Sequence, residues 1–139
     1  MGLEQEIIIA EDNSVVPKIN QENGEWINAY SIREFNKSYW LHNRIELMLN
    51  SKGCYPLDGI NCKTIPISYS EMETIYNDIK EALKPKNEFL LDKYFKTKMY
   101  YNKDDLKYVY DEMRNFINII EPLILNGSDD DLFYYWSWW

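Results

Sequence analysis

The chain of 139 residues contains one histidine, His42, so any imidazole chemistry must run through it. Tyr39 and Glu46 stand one helical turn to either side of it. On a helix the three side chains would share a face. Two readings follow. His42 is a general base or lone ligand in a pocket with Tyr39 and Tyr135, or it is a helix residue tied to a nearby carboxylate or carbonyl. A single imidazole excludes a multi-histidine metal centre, and no Cys-x-x-Cys, His-Glu-x-x-His or calcium-loop spacing occurs. Glycines are scattered singly, without a phosphate-binding loop, and no Gly-x-Ser-x-Gly elbow accompanies the histidine. No catalytic residue, metal or cofactor is predicted.

Carboxylates are the other abundant chemical group. The balance of 23 acidic against 15 basic residues leaves a formal net charge of −8. That field repels phosphate backbones and favours a basic partner surface. The candidate partner-binding acids are Glu71, Glu73, Asp104, Asp105, Asp111, Glu112 and the run Asp129-Asp130-Asp131. Clustered oxygens can attract a divalent cation, but neighbouring residues on a helix point in different directions, and a solvated face explains the same pattern. Lys84, Lys86, Lys93, Lys96 and Lys98, interleaved with Tyr94 and Phe95, resemble a single-strand groove only faintly against this background.

Two cysteines, Cys54 and Cys62, lie eight residues apart. Without a signal peptide, free thiols in a reducing cytoplasm are expected. No apolar stretch approaches the length of a membrane span.

Periodicity supplies the elements. Leu3 to Ala10 reads as a strand, and the polar residues 11–25 as a flexible loop. Ser31 and Glu34 match a capping box, which predicts a helix over 31–50 with Ile32, Phe35, Tyr39, His42 and Leu49 on its inward line. Cys62 to Ile67 reads as a short extended piece. Two overlapping boxes, Ser68 with Glu71 and Ser70 with Glu73, introduce a helix over 70–84. Glu88 to Phe95 reads as a helical turn and Lys96 to Tyr101 as a strand. A helix capped by Asn102 follows, to be kinked or ended near Pro122 and stopped by a left-handed Asn126-Gly127 pair. Leu132 to Trp138 reads as the last strand. The fold class is α+β: a small mixed or antiparallel sheet packed against about three helices in a single domain over residues 1–139.

That last strand is aromatic on both sides. Alternation puts Leu132, Tyr134, Trp136 and Trp138 on one face and Phe133, Tyr135, Ser137 and Trp139 on the other. One face is expected to seal the core against the last helix. The other needs a loop, a helix or a partner, and Trp136, Trp138 and Trp139 are candidate anchors.

The order of these segments resembles a largely uncharacterised small-protein family of bacteriophages and mobile elements. The likeness lies in the Met1-Gly2-Leu3 start, the helix carrying Tyr39-Trp40-Leu41-His42-Asn43, the Asn61-Cys62 segment before the Ser68 cap, and the ending Phe133-Tyr134-Tyr135-Trp136-Ser137-Trp138. The family usually carries Arg-Lys and an asparagine before the histidine, where this chain has Asn36-Lys37 and Tyr39, and its phenylalanine-rich strand appears here as Lys98-Met99-Tyr100-Tyr101-Asn102. The resemblance implies a cytoplasmic, phage-type accessory protein and carries over no catalytic residue.

Three functions are therefore expected in competition. One is a non-enzymatic inhibitor of a host defence system, such as a CRISPR nuclease, that binds the basic nucleic-acid groove of a protein partner as a nucleic-acid mimic. The second is a small-ligand or nucleotide-binding domain with its pocket near His42 and the terminal aromatics. The third is a homo-oligomeric module joined through the aromatic tail.

Overall fold

The computed structural model describes residues 3–10, 16–20, 22–128 and 130–139. Six strands and five helices form among them: β1 (Glu4–Ala10), β2 (Lys18–Ile19), β3 (Trp26–Ile27), β4 (Ala29–Asn36), α1 (Tyr39–Ser51), β5 (Thr64–Ser68), α2 (Tyr69–Ala82), α3 (Glu88–Phe95), α4 (Thr97–Tyr100), α5 (Leu106–Asn126) and β6 (Leu132–Trp138). The architecture is α+β, as the alternation and helical stripes predict.

The main sheet has four strands in the order β4-β1-β6-β5, and every neighbouring pair is antiparallel. Its two inner strands are thus the first and last of the chain, paired from Glu4 with Trp138 to Ile9 with Phe133. Both β1 and β6 have backbone hydrogen-bond partners on each side. β5 is an edge strand, which accommodates Pro66 because its missing N–H can face away from the ladder.

Helices cover one face of this sheet. Phe133 and Tyr135 join a core built from Trp40, Leu41 and Ile45 of α1, Met72, Ile75 and Ile79 of α2, Phe95 of α3, and Val109, Met113, Phe116 and Ile120 of α5. The α2 and α5 stripes read from the sequence are the stripes that are buried. A second, small cluster of Ile8, Ala10 and Tyr134, with Trp26 and Leu132 against it, lies apart from that core. The β2–β3 hairpin contributes its cover: the Trp26 ring meets Trp136 edge-on at 6.1 Å. Of the three covers expected for the second aromatic face of the last strand, a loop, a helix or a partner, this hairpin supplies one over Trp136, while Trp138 stays exposed. Residues 11–25 are accordingly not all loop, since Lys18–Ile19 belongs to it. Residues 11–15 fall outside the described residues.

Four local expectations are corrected. Ser31 and Glu34 cap no helix, because residues 29–36 form β4 and pair with β1, so that Ile32 and Phe35 lie in a strand. Pairing with an inner strand outweighs a two-residue local signal. The helix starts later: Lys37 turns the chain with a positive φ of 57°, its N–H bonded to the Leu3 carbonyl, and Ser38 takes the N-cap. Of the two overlapping boxes, Ser68 with Glu71 is formed reciprocally, with Ser68 Oγ accepting from the Glu71 amide at 3.1 Å and the Ser68 amide donating to Glu71 at 3.0 Å, whereas Ser70 lies inside the helix.

Lys96–Tyr101 is not a strand. Lys96 adopts a left-handed conformation that closes α3, its N–H bonded to the Asp92 carbonyl at 3.0 Å, and the chain re-enters a short helix. Of the mixed and antiparallel sheets expected, the antiparallel one forms among the described residues. Finally, α5 continues past Pro122 to Asn126, and Gly127 has φ −84°, so its stop is not left-handed. Glycine is required there for another reason: a Cβ would meet the Leu123 carbonyl, Asp131 Oδ2 at 2.7 Å and the Tyr69 ring at 2.9 Å.

Candidate functional site

Two surfaces collect chemistry, one on each side of the sheet. The first is built around His42. Position 42 falls on the α1 face that also carries Tyr39 and Glu46, as the spacing predicts. The imidazole Nδ1 lies 2.9 Å from the Tyr135 hydroxyl, and Nε2 lies 3.5 Å from Glu46 Oε1. Hydrogen positions along this chain follow from donors that cannot reverse. The Ser38 amide donates to Gln5 Oε1 at 2.8 Å, which orients the Gln5 side chain and aims its NH₂ at the Ser38 carbonyl and at the Tyr135 oxygen, 3.0 and 2.8 Å away. The Tyr135 oxygen therefore accepts from Gln5, and its own proton points to His42 Nδ1. Nδ1 is the accepting nitrogen, and Nε2–H faces the Glu46 carboxylate.

Burial pushes the His42 pKa down from its ordinary 6.5, with the Glu46 charge opposing it. The same burial raises the Tyr135 phenol well above its usual range. Glu46 also accepts from the Tyr55 hydroxyl at 2.8 Å, an interaction that raises the Tyr55 pKa. Both imidazole nitrogens are thus engaged by protein groups. This supports the reading of His42 as a tied helix residue, although its partner on the sheet, Tyr135, lies 93 residues away.

A cleft of about 360 Å³ opens beside this chain, lined by Leu3, Tyr39, His42, Asn43, Glu46, Tyr55, Tyr100 and Trp139. Tyr39 stacks on Tyr100 at 5.3 Å between ring centroids, and Trp139 meets the His42 ring edge-on at 5.1 Å. Asn61 fixes Trp139 through two hydrogen bonds, accepting from its amide at 3.1 Å and donating to its carbonyl at 3.2 Å. Of the three expected pocket residues, Tyr39 and His42 line the cleft, while Tyr135 is fully buried behind His42.

The second surface is the opposite sheet face, where a groove of about 650 Å³ is lined by Glu4, Gln5, Glu6, Ile19, Gly24, Glu34, Phe35, Asn36 and Trp136. Register brings its carboxylates together. Glu6 is directly opposite Glu34 on β4 and opposite Trp136 on β6, and Glu4 is opposite Asn36 and Trp138. Trp26 Nε1 donates to Glu6 Oε2 at 3.0 Å. Trp138 shares this face and is 41% exposed.

The acids singled out from the sequence do not converge on one surface. Glu71 is spent on the α2 cap and pairs with Lys52 at 2.8 Å. Burial opposes its ionisation, but the Lys52 ammonium and the Ser68 amide prevail and hold its pKa below the ordinary value. Glu112 is structural, accepting from Ser38 Oγ at 2.7 Å and from Trp40 Nε1 at 2.9 Å. Asp111 pairs with Arg114, and Asp131 closes a turn by accepting from the Ser128 amide at 3.0 Å. Glu73, Asp104, Asp105 and Asp130 are exposed, and Asp129 lies outside the described residues. Phe95 is fully buried, so it is no stacking platform beside the nearby lysines.

Sequence reading missed Glu4, Glu6 and Glu34. The alternation Glu4-Gln5-Glu6 signals a polar strand face, but Glu34 was assigned to a helix cap, and its approach to Glu6 depends on register. Among the described residues, no group of three or more His, Cys, Asp or Glu is arranged to hold a metal ion, and no helix is long and apolar enough to cross a membrane. Cys54 and Cys62 are both free and exposed. Comparison with known proteins finds no matching family profile, no matching curated sequence and no matching solved structure.

Proposed function

We propose that this chain is a small acidic binding protein, not an enzyme, and that it works by laying the Glu4, Glu6 and Glu34 face of its sheet on a basic surface of a protein partner. The observation that carries this reading is the in-register opposition of Glu6 and Glu34. Like charges directly across an antiparallel pair weaken a sheet. A partner's arginine or lysine would relieve that repulsion, while Trp136 and Trp138 beside the carboxylates offer the aromatic contact area that anchors interfaces. A net charge of −8 adds steering toward such a surface.

The phage-type resemblance and the acidity together favour one kind of partner: a host defence nuclease, of the CRISPR type, whose nucleic-acid groove is basic. In this reading the carboxylates stand where phosphates would lie and inhibition is competitive with nucleic acid. The acidic residues assigned from the helices, apart from the structural Glu71 and Glu112, contribute long-range field more than contact.

The test is titration of purified defence nucleases, and of an arginine-rich peptide, at increasing salt. Binding is expected to weaken as salt rises, to be displaced by nucleic acid, and to be lost in the triple variant Glu4→Gln, Glu6→Gln, Glu34→Gln while its thermal transition is retained. Binding that is indifferent to salt and unchanged in the triple variant would overturn the reading.

A further inference from the structure

The cleft at His42 has a composition that selects its ligand. Its lining includes one carboxylate, Glu46, and no lysine or arginine. Four aromatic residues line the cleft with it, Tyr39, Tyr55, Tyr100 and Trp139, and Tyr55 bonds the carboxylate directly. His42, the remaining ring, gives Nδ1 to Tyr135 and faces Glu46 through Nε2. Burial disfavours a charge on that imidazole, so the carboxylate has no full counter-charge inside the cleft. A carboxylate against aromatic walls attracts a cation twice, through its own charge and through the negative faces of the rings.

Hydrogen bonding narrows the class. Glu46 Oε2 already accepts from Tyr55, and Oε1 faces His42. The hydroxyl and imidazole donors leave less of the carboxylate for directed N–H bonds from a ligand. A cation that presents carbon instead of N–H suits such a site. We infer that the Glu46 cleft, with its walls Tyr39, Tyr55, Tyr100 and Trp139, is a binding site for a methylated or quaternary ammonium group.

The site stands on residues of the helical side of the sheet and does not depend on the acidic groove of the opposite face. Its walls come from separate segments: Tyr39 from α1, Tyr55 from the following loop, Tyr100 from α4, and Trp139 from just beyond β6. Tyr100 and Trp139 remain 47% and 44% exposed, Tyr100 with one face stacked on Tyr39 and the other uncovered by any ring contact among the described residues.

The test is NMR titration with choline, followed on the Trp139 indole resonance, which Trp139→Phe identifies. The neutral carbon analogue 3,3-dimethyl-1-butanol and sodium chloride at equal ionic strength are the controls. Choline is expected to shift Trp139 saturably at millimolar concentration, and the neutral analogue to bind at least about tenfold more weakly. Glu46→Gln and Tyr100→Ala should each weaken choline binding several-fold to roughly tenfold, while Glu81→Gln, at an exposed residue of α2 outside the cleft lining, leaves it unchanged. Tyr100 is exposed, so that variant retains the fold if Glu46→Gln does not. Equal binding of choline and its neutral analogue, absence of a saturable shift, or full choline affinity in Tyr100→Ala would overturn the inference.

Discussion

The Tyr135 hydroxyl sits between Gln5 and His42, accepting from the Gln5 amide at 2.8 Å and donating to His42 Nδ1 at 2.9 Å. It joins β1, β6 and α1 through one buried oxygen. Tyr135→Phe keeps the ring and removes only that oxygen, leaving the imidazole nitrogen without a donor. An unsatisfied buried group of this kind costs about 1–3 kcal/mol. The expected outcome is a loss of that size in urea unfolding with an unchanged m-value, since the exposed surface is the same.

His42 makes stability depend on pH. Its pKa is lowered by burial from 6.5. Below that value the unfolded chain takes up a proton that the folded chain resists, so stability is full above it and falls as pH drops toward the folded value. The urea midpoint of the wild type should therefore decrease as the pH falls through and below 6.5, and His42→Gln should flatten that decline. A second loss follows at lower pH, because the Glu71 pKa is held below its ordinary 4.5 and its stabilising contribution goes as the carboxyl protonates.

Glu34→Gln should stabilise the protein. Glu34 is exposed, faces Glu6 in register, and loses only a like-charge repulsion when neutralised. A gain of about 0.2–1 kcal/mol is expected at low salt, shrinking as salt rises. Thermal melts at two ionic strengths measure it. A variant more stable yet weaker toward a basic partner would mark the pair as kept for binding.

Three serines preceding helix-like sequence should behave differently. Ser68→Ala removes the formed capping box and should cost about 1 kcal/mol. Ser31→Ala, on β4, and Ser70→Ala, inside α2, remove no cap and should change stability by less than about 0.5 kcal/mol. Equilibrium denaturation of the three variants separates them.

Deletion of residues 132–139 removes a strand that lies between β1 and β5. The product should be insoluble or unfolded by circular dichroism, not a folded monomer. Phe133→Ala, a milder change at a fully buried position, should cost about 3–5 kcal/mol.

Elements whose signal is local were legible in the residues. The stripe Met72, Ile75, Tyr76, Ile79 and the stripe Val109, Met113, Phe116, Ile120 each bury along one helix face, because a helix repeats within a single turn or two. The Ser68 cap is likewise complete within four residues. Residues 31–36 and 96–101 were misread because their local preferences are weak and their neighbours in space decide between helix and strand. For the site, Tyr39, His42 and Glu46 were found as one helix face. Gln5, Tyr55 and Tyr100 were not, since nothing in their own surroundings reports what they meet across the fold.

The sequence by itself determined the α+β class, the acidic character, the two stripes of α2 and α5, and the two-faced aromatic strand 132–138. Those properties follow from composition and from side-chain periods that act over a few residues. Tertiary structure decided that the aromatic strand is internal, that Tyr135 closes a chain from Gln5 to His42, and that Glu6 meets Glu34. Each depends on strand pairing between distant segments, where a one-residue change of register would send every side chain to the other face.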